Sequence, residues 1–408
     1  MRSLTRIASR LPAFLLVALF LALAPNALAQ TTWYVDGVNG NDSNNCRTPA
    51  TACKTIGHAI SLSASGDTIK VDPATYTENL NINLSLSIIG SGAATTIVDG
   101  GGVNTVVTIN PTANVVLGKL TIRNGYNQLF PAGGILNWET LTIDQSTITS
   151  NSATYGGGIA NYGALTVNRS TISGNNLSYE YGYGGGVYSD GVLTVNQSTI
   201  TSNSASSGGG IEVDTGTATI SNSTFGGNSA PWGGGITIAS GVATITNSTF
   251  SGNSATDGGG GIDNYGTLTI NNVTITGNSA PVGGGILQST YGSAIFQNSI
   301  IANNPGGNCS GTVTSDGYNL SSDGSCSFNG LGDLNNTDPR LGTLGNYGGP
   351  TQTIIEMLAS PTVDAGNPNG CTDSQGNLLT TDQRGAPRPG LHKSDKRCDM
   401  GAFERQTD

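Results

Sequence analysis

The sequence predicts an all-β fold: a single-stranded, right-handed parallel β-helix with three strands in each coil of about 25 residues. Three features of the repeat predict it. A Gly-Gly segment followed by Ile or Val recurs every 24 to 28 residues, ending at Ile135, Ile159, Val187, Ile211, Ile236, Ile262 and Ile286. An asparagine column keeps the same period, at Asn151, Asn175, Asn203, Asn228, Asn253, Asn278 and Asn303. Short alternating strands of the Leu-Thr-Ile type lie between the two columns.

The repeat length and composition separate this fold from other repeat architectures. A leucine-rich repeat needs a helical half, and a propeller blade needs four strands in about 40 residues or more. Three strands in about 25 residues suit one coil, with coils stacked about 4.8 Å apart and alternate residues pointing into a narrow core. We expect the asparagines to form a hydrogen-bonded ladder at a corner with left-handed backbone, and the glycines to permit positive φ at another corner.

Both ends of the repeat differ from its middle. Arg2, Arg6 and Arg10 precede an apolar run and an Ala-Leu-Ala cleavage pattern, which predicts a signal peptide and no membrane span after its removal. One helix is predicted, over Lys54–Ala64, as the cap of the open N-terminal end. The predicted organisation is 1–29 signal peptide, 30–67 N-terminal cap, 68–304 β-helix, and 305–408 loop-rich C-terminal cap and extension of the same domain. Capped ends predict a monomer.

The net charge and the distribution of basic residues limit the classes of partner that the protein is expected to bind. The net charge is −10, which disfavours nucleic acid because phosphate binding needs a basic face. Between Arg123 and Arg340 the only basic residue is Arg169. A pectate-lyase-type site needs a Lys or Arg base beside Ca²⁺-binding carboxylates, and uronate recognition needs cations. The composition therefore disfavours acidic polysaccharides more than it disfavours neutral glycans.

The six cysteines behind a signal peptide predict disulfides. The sequence-local connectivity is favoured because each pair lies in its own loop-rich segment: Cys46–Cys53, Cys309–Cys326 and Cys371–Cys398. A metal site is the alternative. It is disfavoured because no spacing is Cys-x-x-Cys and the only histidines are His58 and His392.

Three sets of motifs resemble known families. The opening, Trp33-Tyr-Val-Asp36 with Cys53-Lys-Thr-Ile56 and Gly66-Asp-Thr-Ile69, resembles that of bacterial secreted β-helix proteins. The Gly-Gly-Ile columns with Phe225-Gly-Gly-Asn228 and Phe250-Ser-Gly-Asn253 resemble chlamydial polymorphic outer-membrane protein repeats. The C-terminal set resembles the choice-of-anchor Q domain: Ser360-Pro-Thr-Val-Asp364-Ala-Gly-Asn367, Asp382-Gln-Arg-Gly385 and Cys398-Asp-Met-Gly-Ala-Phe-Glu404. These resemblances imply a surface or secreted protein, adhesin-like in the case of the outer-membrane repeats. The chain stops soon after Phe403 without a sorting motif, which favours free secretion.

Carboxylates in register are the weak candidates for catalysis. Counting outward from each Gly-Gly-Ile strand gives one outward column, Tyr188, Glu212, Thr237 and Asp263. Glu212 and Asp263 lie two coils apart, ~9.6 Å between backbones, near the upper end of the ~6.5–9.5 Å range of inverting glycosidases. Asp190 and Asp214 share another column, and together with Glu212 they are weak candidate ligands for Ca²⁺; no other cofactor is predicted. The alternative is that these outward carboxylates only keep the surface soluble.

Aromatic residues are the candidate ligand-binding groups. Tyr155, Tyr183 and Trp232 precede successive Gly runs, with Ser207 between them. The longest coil carries an insertion with Tyr179 and Tyr181 at the same corner. Rings along an edge can stack on sugar faces, or they can simply shield a corner from solvent.

The sequence predicts a secreted or cell-surface scaffold with an adhesin-like or glycan-binding role toward extracellular polysaccharide or host glycan. A polysaccharide lyase or glycoside hydrolase, or a structural protein with no ligand, are the alternatives.

Overall fold

Each coil of the chain forms short strands that pair in parallel with the equivalent strands of the coils on either side. The computed structural model describes residues 30–129, 131–177, 181–390 and 397–406. The predicted signal peptide lies outside these residues. Within them, three long parallel sheets of 12, 11 and 10 strands enclose one core. This arrangement confirms the predicted all-β parallel β-helix.

The three sheets follow one another around each coil and are numbered in that order. Sheet 1 contains Thr32–Val35, Asp67–Val71, Leu86–Gly90, Asn114–Gly118, Thr140–Asp144, Ala164–Asn168, Val192–Asn196, Thr217–Ser221, Val242–Thr246, Thr267–Asn271, Ser293–Gln297 and Thr314–Ser315. Sheet 2 contains Ala74–Thr77, Thr96–Asp99, Thr121–Arg123, Thr147–Thr149, Thr171–Ser173, Thr199–Thr201, Thr224–Gly226, Thr249–Ser251, Thr274–Thr276, Ile300–Ala302 and Leu320–Ser321. Sheet 3 contains Leu80–Ile82, Val107–Ile109, Ile135–Asn137, Ile159–Asn161, Val187–Ser189, Ile211–Val213, Ile236–Ile238, Ile262–Asn264, Ile286–Gln288 and Cys309–Ser310.

Smaller elements complete the described chain. Short parallel strands follow sheet 2 at the corner before sheet 3, at Tyr126–Asn127, Ser152–Ala153, Asn176–Leu177, Ser229–Trp232 and Ser254–Gly258. They form two small sheets, of three and two strands, which are not predicted from the sequence. An antiparallel pair, Leu341–Gly345 with Thr353–Glu356, lies in the C-terminal segment. The helical elements are Pro49–Thr51, a 3₁₀ turn, and the α-helix Ile56–Leu62.

The core consists of the inward residue columns of the three sheets. Leu165 pairs with Leu193 in the next coil, and both are buried, as are the other inward aliphatic residues. Phe225 and Phe250 stack with centroids 4.4 Å apart and planes 4° from parallel. Identical side chains at strand spacing therefore form one continuous core along the solenoid, as the alternating strands predict.

The asparagine ladder is present and fully buried over most of its length. Asn203 shows the pattern: its Nδ2 donates to Asn228 Oδ1 at 3.0 Å and to the Ile172 carbonyl at 3.0 Å, and its backbone N–H donates to the same Oδ1. The left-handed residue is the one before each asparagine, such as Ser202 with φ 56°. The expectation that the asparagines themselves take that conformation is therefore wrong, because their side chains need the inward position.

The last predicted member of the ladder is also corrected. Asn278 donates to Asn304 Oδ1 at 3.1 Å, whereas Asn303 is exposed with φ 57°. The loop from sheet 3 to sheet 1 is two residues longer in this coil, between Gln288 and Ser293, than in the preceding coil. Extending the 25-residue period from Asn278 therefore predicts the last ladder asparagine one residue too early, at Asn303 instead of Asn304.

The N-terminal helix caps the core as predicted, with narrower bounds than Lys54–Ala64. Asp42 Oδ1 accepts from the backbone N–H groups of Lys54 and Thr55, which keeps both residues outside the helix. Thr55 caps the first turn through His58 N–H at 3.2 Å. Ile56, Ala59 and Ile60 are buried in the main core. Thr32–Val35, assigned from sequence to the cap, is the first strand of sheet 1.

The C-terminal segment folds back along the outer face of sheet 2. Gln383 is fully buried, where its Oε1 accepts from Thr249 Oγ1 at 2.6 Å and its Nε2 donates to Thr224 Oγ1 at 3.0 Å. Ala402 N–H donates to Thr274 Oγ1 at 3.1 Å. The cysteines form the three local disulfides predicted from sequence. Contacts group Thr31–Asp408 into one unit. In the part of the chain described, no helix is long and apolar enough to cross a membrane.

Candidate functional site

A groove runs along the outer face of sheet 3, and its floor is the outward residue column of that sheet. The strand pairings place Tyr188, Glu212, Thr237 and Asp263 side by side on four successive coils. This is the column predicted from the Gly-Gly-Ile spacing. Glu212 and Asp263 are therefore two coils apart, with Thr237 between them.

The first wall of the groove is the aromatic column that precedes the Gly runs. Backbone bridges join Tyr155 to Tyr183, Tyr183 to Ser207, and Ser207 to Trp232, which confirms that they share one edge. Tyr183 and Trp232 are each about two-fifths exposed, at 42% and 40%. Of the insertion residues predicted to extend this edge, Tyr181 is exposed and does not line the cavity described below, and Tyr179 lies outside the described residues.

The second wall was not predicted. It is formed by the residue that follows each sheet 3 strand, where backbone hydrogen bonds stack successive coils, as from Tyr162 N–H to the Asn137 carbonyl and from Tyr265 N–H to the Ile238 carbonyl. The column runs Trp138, Tyr162, Asp190, Asp214, Ala239 and Tyr265. The sequence carried a signal for it, because Asn-Trp or Asn-Tyr closes the strand in three of these six coils.

Packed aromatic rings fill the N-terminal part of the groove. Trp138 stacks on Tyr162 with centroids 4.5 Å apart. Tyr188 meets Tyr155 at 5.5 Å and Tyr162 at 5.8 Å, in edge-on and tilted geometries typical of stable aromatic pairs. The Tyr188 hydroxyl donates to Asp214 Oδ2 at 2.6 Å. This aromatic cluster leaves the open part of the groove on the coils that follow Tyr188.

The open part is a cavity of about 290 Å³ between the two walls. Tyr183 and Trp232 lie on one side and Tyr265 on the other, over a floor of Glu212, Thr237 and Asp263. None of the described residues that line it is Lys, Arg or His. The cavity shares Ala239 and Tyr265 with a second depression of about 570 Å³, which lies beyond the second wall, at the corner between sheet 3 and sheet 1, and includes Tyr291.

The glycine corners explain why the floor is buried. Gly208, at φ +61°, lies so close to the floor that a Cβ there would be 2.7 Å from Glu212 Oε2. Gly259, at φ +69°, lies equally close to Asp263 Cβ. The backbone of each corner therefore folds over the outward side chain four residues later. Glu212 and Asp263 are only 4% and 1% exposed. The expectation that these carboxylates merely keep an outward surface soluble is wrong.

Burial controls the protonation of Glu212. Desolvation raises the pKa of its carboxyl group to about 8, and the negative charges of Asp214 and Asp263 act in the same direction. A hydrogen bond from Ser207 Oγ to Glu212 Oε2, 2.8 Å long, opposes the shift. Glu212 therefore holds a proton at neutral pH and presents a neutral carboxylic acid to the cavity.

Asp263 is buried without a complete set of partners. Its Oδ1 has no hydrogen-bond partner among the described residues, and burial raises the pKa of the carboxyl group to about 7. Leaving a buried acceptor unpaired costs about 1–3 kcal/mol. An incoming hydroxyl group or water molecule in the cavity would satisfy that oxygen.

The three predicted calcium ligands do not form a metal cluster. Asp214 accepts from Tyr188, Glu212 accepts from Ser207, and Asp190 accepts from the Thr215 hydroxyl. Among the described residues, one group of three potential metal ligands has its ligand atoms within 4.8 Å of one another. It lies outside the groove and consists of His58 and the two cysteines of the Cys46–Cys53 disulfide. Those two sulfurs are bonded to each other, so that group is not a metal site.

Comparisons with known proteins agree with the fold. Residues 185–331 match the family model of the right handed beta helix region. The pectate lyase Pel9A has a similar structure, with a TM-score of 0.55 and 14% identity over 92% of this chain and 96% of that chain. XylC in complex with xylose has a TM-score of 0.50 and 10% identity over 91% of this chain and 98% of that chain. No curated protein matches the sequence. The family model and both structures are likenesses to the right-handed parallel β-helix fold.

Proposed function

We propose that the groove binds a neutral glycan, with a sugar ring seated between Trp232 and Tyr265 above the floor of Glu212 and Asp263. The observation that carries the proposal is the cavity itself, with aromatic side chains on two sides and buried carboxyl groups below. Aromatic rings pack on the apolar faces of sugars, and convergent polar groups fix the hydroxyl groups.

The charges around the cavity favour a neutral ligand over an acidic one. Asp190 and Asp214 lie on the second wall, and Arg169 is paired with Asp144 at 2.7 Å at the corner between sheets 1 and 2. A uronate in the cavity would lack a cation and would meet like charge. A protonated Glu212, by contrast, offers both a donor and an acceptor to a hydroxyl group.

The dimensions suit a short stretch of a polymer. A volume of about 290 Å³ is near the lower limit of ordinary ligand pockets, ~300 Å³. The adjoining depression with Tyr291 offers room for a second ring. The two similar structures are of a pectate lyase and of a protein complexed with xylose, which is in keeping with a sugar ligand. At their low identity they support the fold alone, and the proposal depends on the groove.

Export to an oxidising compartment is part of the proposal. Three disulfides in the described chain are typical of secreted proteins. The signal peptide, free secretion, the monomeric state, the adhesin-like role and the resemblance to the choice-of-anchor Q domain stay predictions.

Affinity electrophoresis through gels containing arabinoxylan, galactomannan, mixed-linkage β-glucan or polygalacturonate tests the proposal. We expect at least one neutral polymer to retard the protein and polygalacturonate to leave its mobility unchanged. Trp232→Ala and Tyr265→Ala should each weaken binding by about tenfold, because each removes a stacking contact worth about 0.5–1.5 kcal/mol beyond buried area.

Tyr126→Ala is the matched control, since Tyr126 is as exposed as Tyr265, at 40%, and does not line the cavity. It lies at the same corner as Trp232 but four coils earlier. Its mobility should equal that of the unmodified protein. Retardation by polygalacturonate alone, or equal retardation of the Trp232 and Tyr265 variants and the unmodified protein, would refute binding in this groove.

A further inference from the structure

The pair of buried carboxyl groups on the groove floor indicates a role in addition to ligand binding. Glu212 and Asp263 share one column and one cavity, and their backbones are separated by two coil spacings, ~9.6 Å. Both are almost completely buried, although sheet 3 faces outward at these positions. A floor needed only for packing would be filled by apolar side chains, such as Leu287 in the next coil of the same column.

We propose that this protein hydrolyses the glycosidic bond of a neutral glycan with inversion at the anomeric carbon, Glu212 acting as the general acid and Asp263 as the general base. The inference rests on the proposed glycan binding, because the same cavity holds the sugar. The two-coil separation of the backbones carries the stereochemistry, because ~9.6 Å is close to the upper end of the carboxyl separation of inverting enzymes and far above that of retaining enzymes. Carboxyl groups ~6.5–9.5 Å apart leave room for a water molecule beside the sugar, whereas retaining enzymes need ~5–5.5 Å.

The reaction balances with water as its only co-reactant. Asp263 takes a proton from a water molecule, whose oxygen bonds to the anomeric carbon as the bond from that carbon to the leaving oxygen breaks. Glu212 donates its proton to the leaving oxygen. Asp263 ends protonated and Glu212 ionised, and proton exchange with solvent restores both. The sugar lies above Thr237, between the two carboxyl groups.

Local contacts assign the two roles. Glu212 faces the negative charges of Asp214 and Asp263, and none of the described residues that line the cavity is a cation that would favour its ionised form. It is thus the group of the pair that better keeps its proton, as an acid must. Asp263 has an unpaired Oδ1 and no donor to hold it, so that oxygen is available to orient and deprotonate water.

The test is made with the neutral polymers that retard the protein in affinity electrophoresis. Each is incubated with the purified protein, new reducing ends are counted, and the first anomer released is identified by proton NMR. We expect reducing ends with inverted configuration. Glu212→Gln and Asp263→Asn should each lower the rate by about 10²- to 10⁴-fold while binding to the gel persists. Asp72→Asn, at an exposed carboxylate of the first coils, is the control and should keep full activity.

The pH profile provides a readout that a structural role would not produce. Burial raises the pKa of Asp263 to about 7 and that of Glu212 to about 8. Activity should therefore rise through pH 7 as the base ionises and fall above pH 8 as the acid loses its proton. A glycan with a good leaving group, such as a nitrophenyl glycoside of the same sugar, should restore part of the activity of Glu212→Gln but not of Asp263→Asn.

The outcomes separate the two proposals. Retention of a polymer without new reducing ends, retained configuration in the product, or undiminished rates in both variants would overturn the hydrolase assignment and leave binding intact. If no neutral polymer is retained and none is cleaved, both proposals fail.

Discussion

At the residue scale, Glu212 is the clearest case of an environment that changes the chemistry of a side chain. The glycine corner excludes water, and nearby carboxyl groups disfavour its negative charge, so that burial raises its pKa to about 8. In the unfolded chain the same group titrates near its ordinary pKa of about 4.3. Between these values the folded protein binds a proton that the unfolded chain does not.

This difference makes folding stability fall as pH rises from about 4.5 to about 8, with the full stability present below that window. Glu212→Gln cannot ionise. The difference between its unfolding free energy and that of the unmodified protein should therefore increase in favour of the variant as pH rises across the window, by up to about 5 kcal/mol. Urea unfolding at pH 4.5, 6 and 8 measures the gain.

Taking the difference between the two proteins removes the contribution of Glu356, whose pKa burial also raises. Asp72→Asn should unfold in parallel with the unmodified protein at every pH, because Asp72 is exposed. A constant difference between Glu212→Gln and the unmodified protein from pH 4.5 to 8 would show that Glu212 is ionised in the folded state.

The burial of these carboxyl groups could not be predicted from sequence. The spacing located Glu212 and Asp263 on one outward column, because strand register follows directly from a repeat. Their exposure depends instead on how closely Gly208 and Gly259 approach, a backbone geometry that the pattern Gly-Gly-Gly-Ile does not reveal.

At the element scale, the backbone of the glycine corner before sheet 3 packs directly against the side chains of the groove floor. Gly208→Ala would place a Cβ at φ +61° and 2.5 Å from the Ile211 carbonyl oxygen, besides the contact with Glu212. We expect a loss of stability of more than 2 kcal/mol, since steric overlap adds to about 1 kcal/mol of backbone strain, together with weaker glycan binding.

Gly174→Ala is the control that measures backbone strain at positive φ without steric overlap of the new Cβ. Gly174 has φ +62°, and the nearest atom to a Cβ there is Thr149 Oγ1 at 3.6 Å. Thermal unfolding of the two variants should show a small decrease for Gly174→Ala and a larger one for Gly208→Ala. Equal decreases would mean that the corner can move away from the floor.

The elements themselves were predictable to the extent that they repeat. Strand positions, the asparagine ladder and the first aromatic wall all follow from constant spacing. The second wall, with Tyr162 and Tyr265, is just as periodic, but its residues change from aromatic to Asp and Ala between these two positions, so no constant residue type marks the column. Asn303 was misplaced because a local insertion changes the period without changing the residue type.

At the scale of the whole molecule, the C-terminal segment binds coils that are far from it in sequence. Asn247 and Asn272, both at positive φ, donate to the Thr381 and Thr372 carbonyls at 2.9 and 3.1 Å. Equivalent corner positions in earlier coils, Gln145 and Gln197, carry no such contact in the described structure. Sequence spacing does not reveal which coils receive the segment, because the contacts join residues 134 and 100 positions apart.

Gln383 is the residue whose loss should release this segment. Its side chain makes hydrogen bonds to Thr224, Thr249, Thr351 and Gln352, all with donor–acceptor distances of 2.6 to 3.0 Å. Gln383→Ala should lower stability by about 2–4 kcal/mol, because several buried groups lose their partners. Limited proteolysis should then cut within 340–406 sooner.

The exposed Gln375 provides the comparison, and Gln375→Ala should resist protease like the unmodified protein. Unchanged proteolysis of Gln383→Ala would mean that the other contacts between the segment and the coils, such as those of Asn247 and Asn272, are sufficient to hold it in place.

The folded-back terminus also determines how the molecule would come apart. A solenoid ordinarily frays from its ends, one coil at a time, because each coil contacts only its neighbours. Here the chain end that follows the last coil is hydrogen-bonded to the outer faces of at least three earlier ones, through Thr224, Thr249 and Thr274. A force pulling on the C-terminal segment must therefore peel it away before any coil can unwind, so the load falls on the coils that contain Thr224, Thr249 and Thr274 rather than on the last coil.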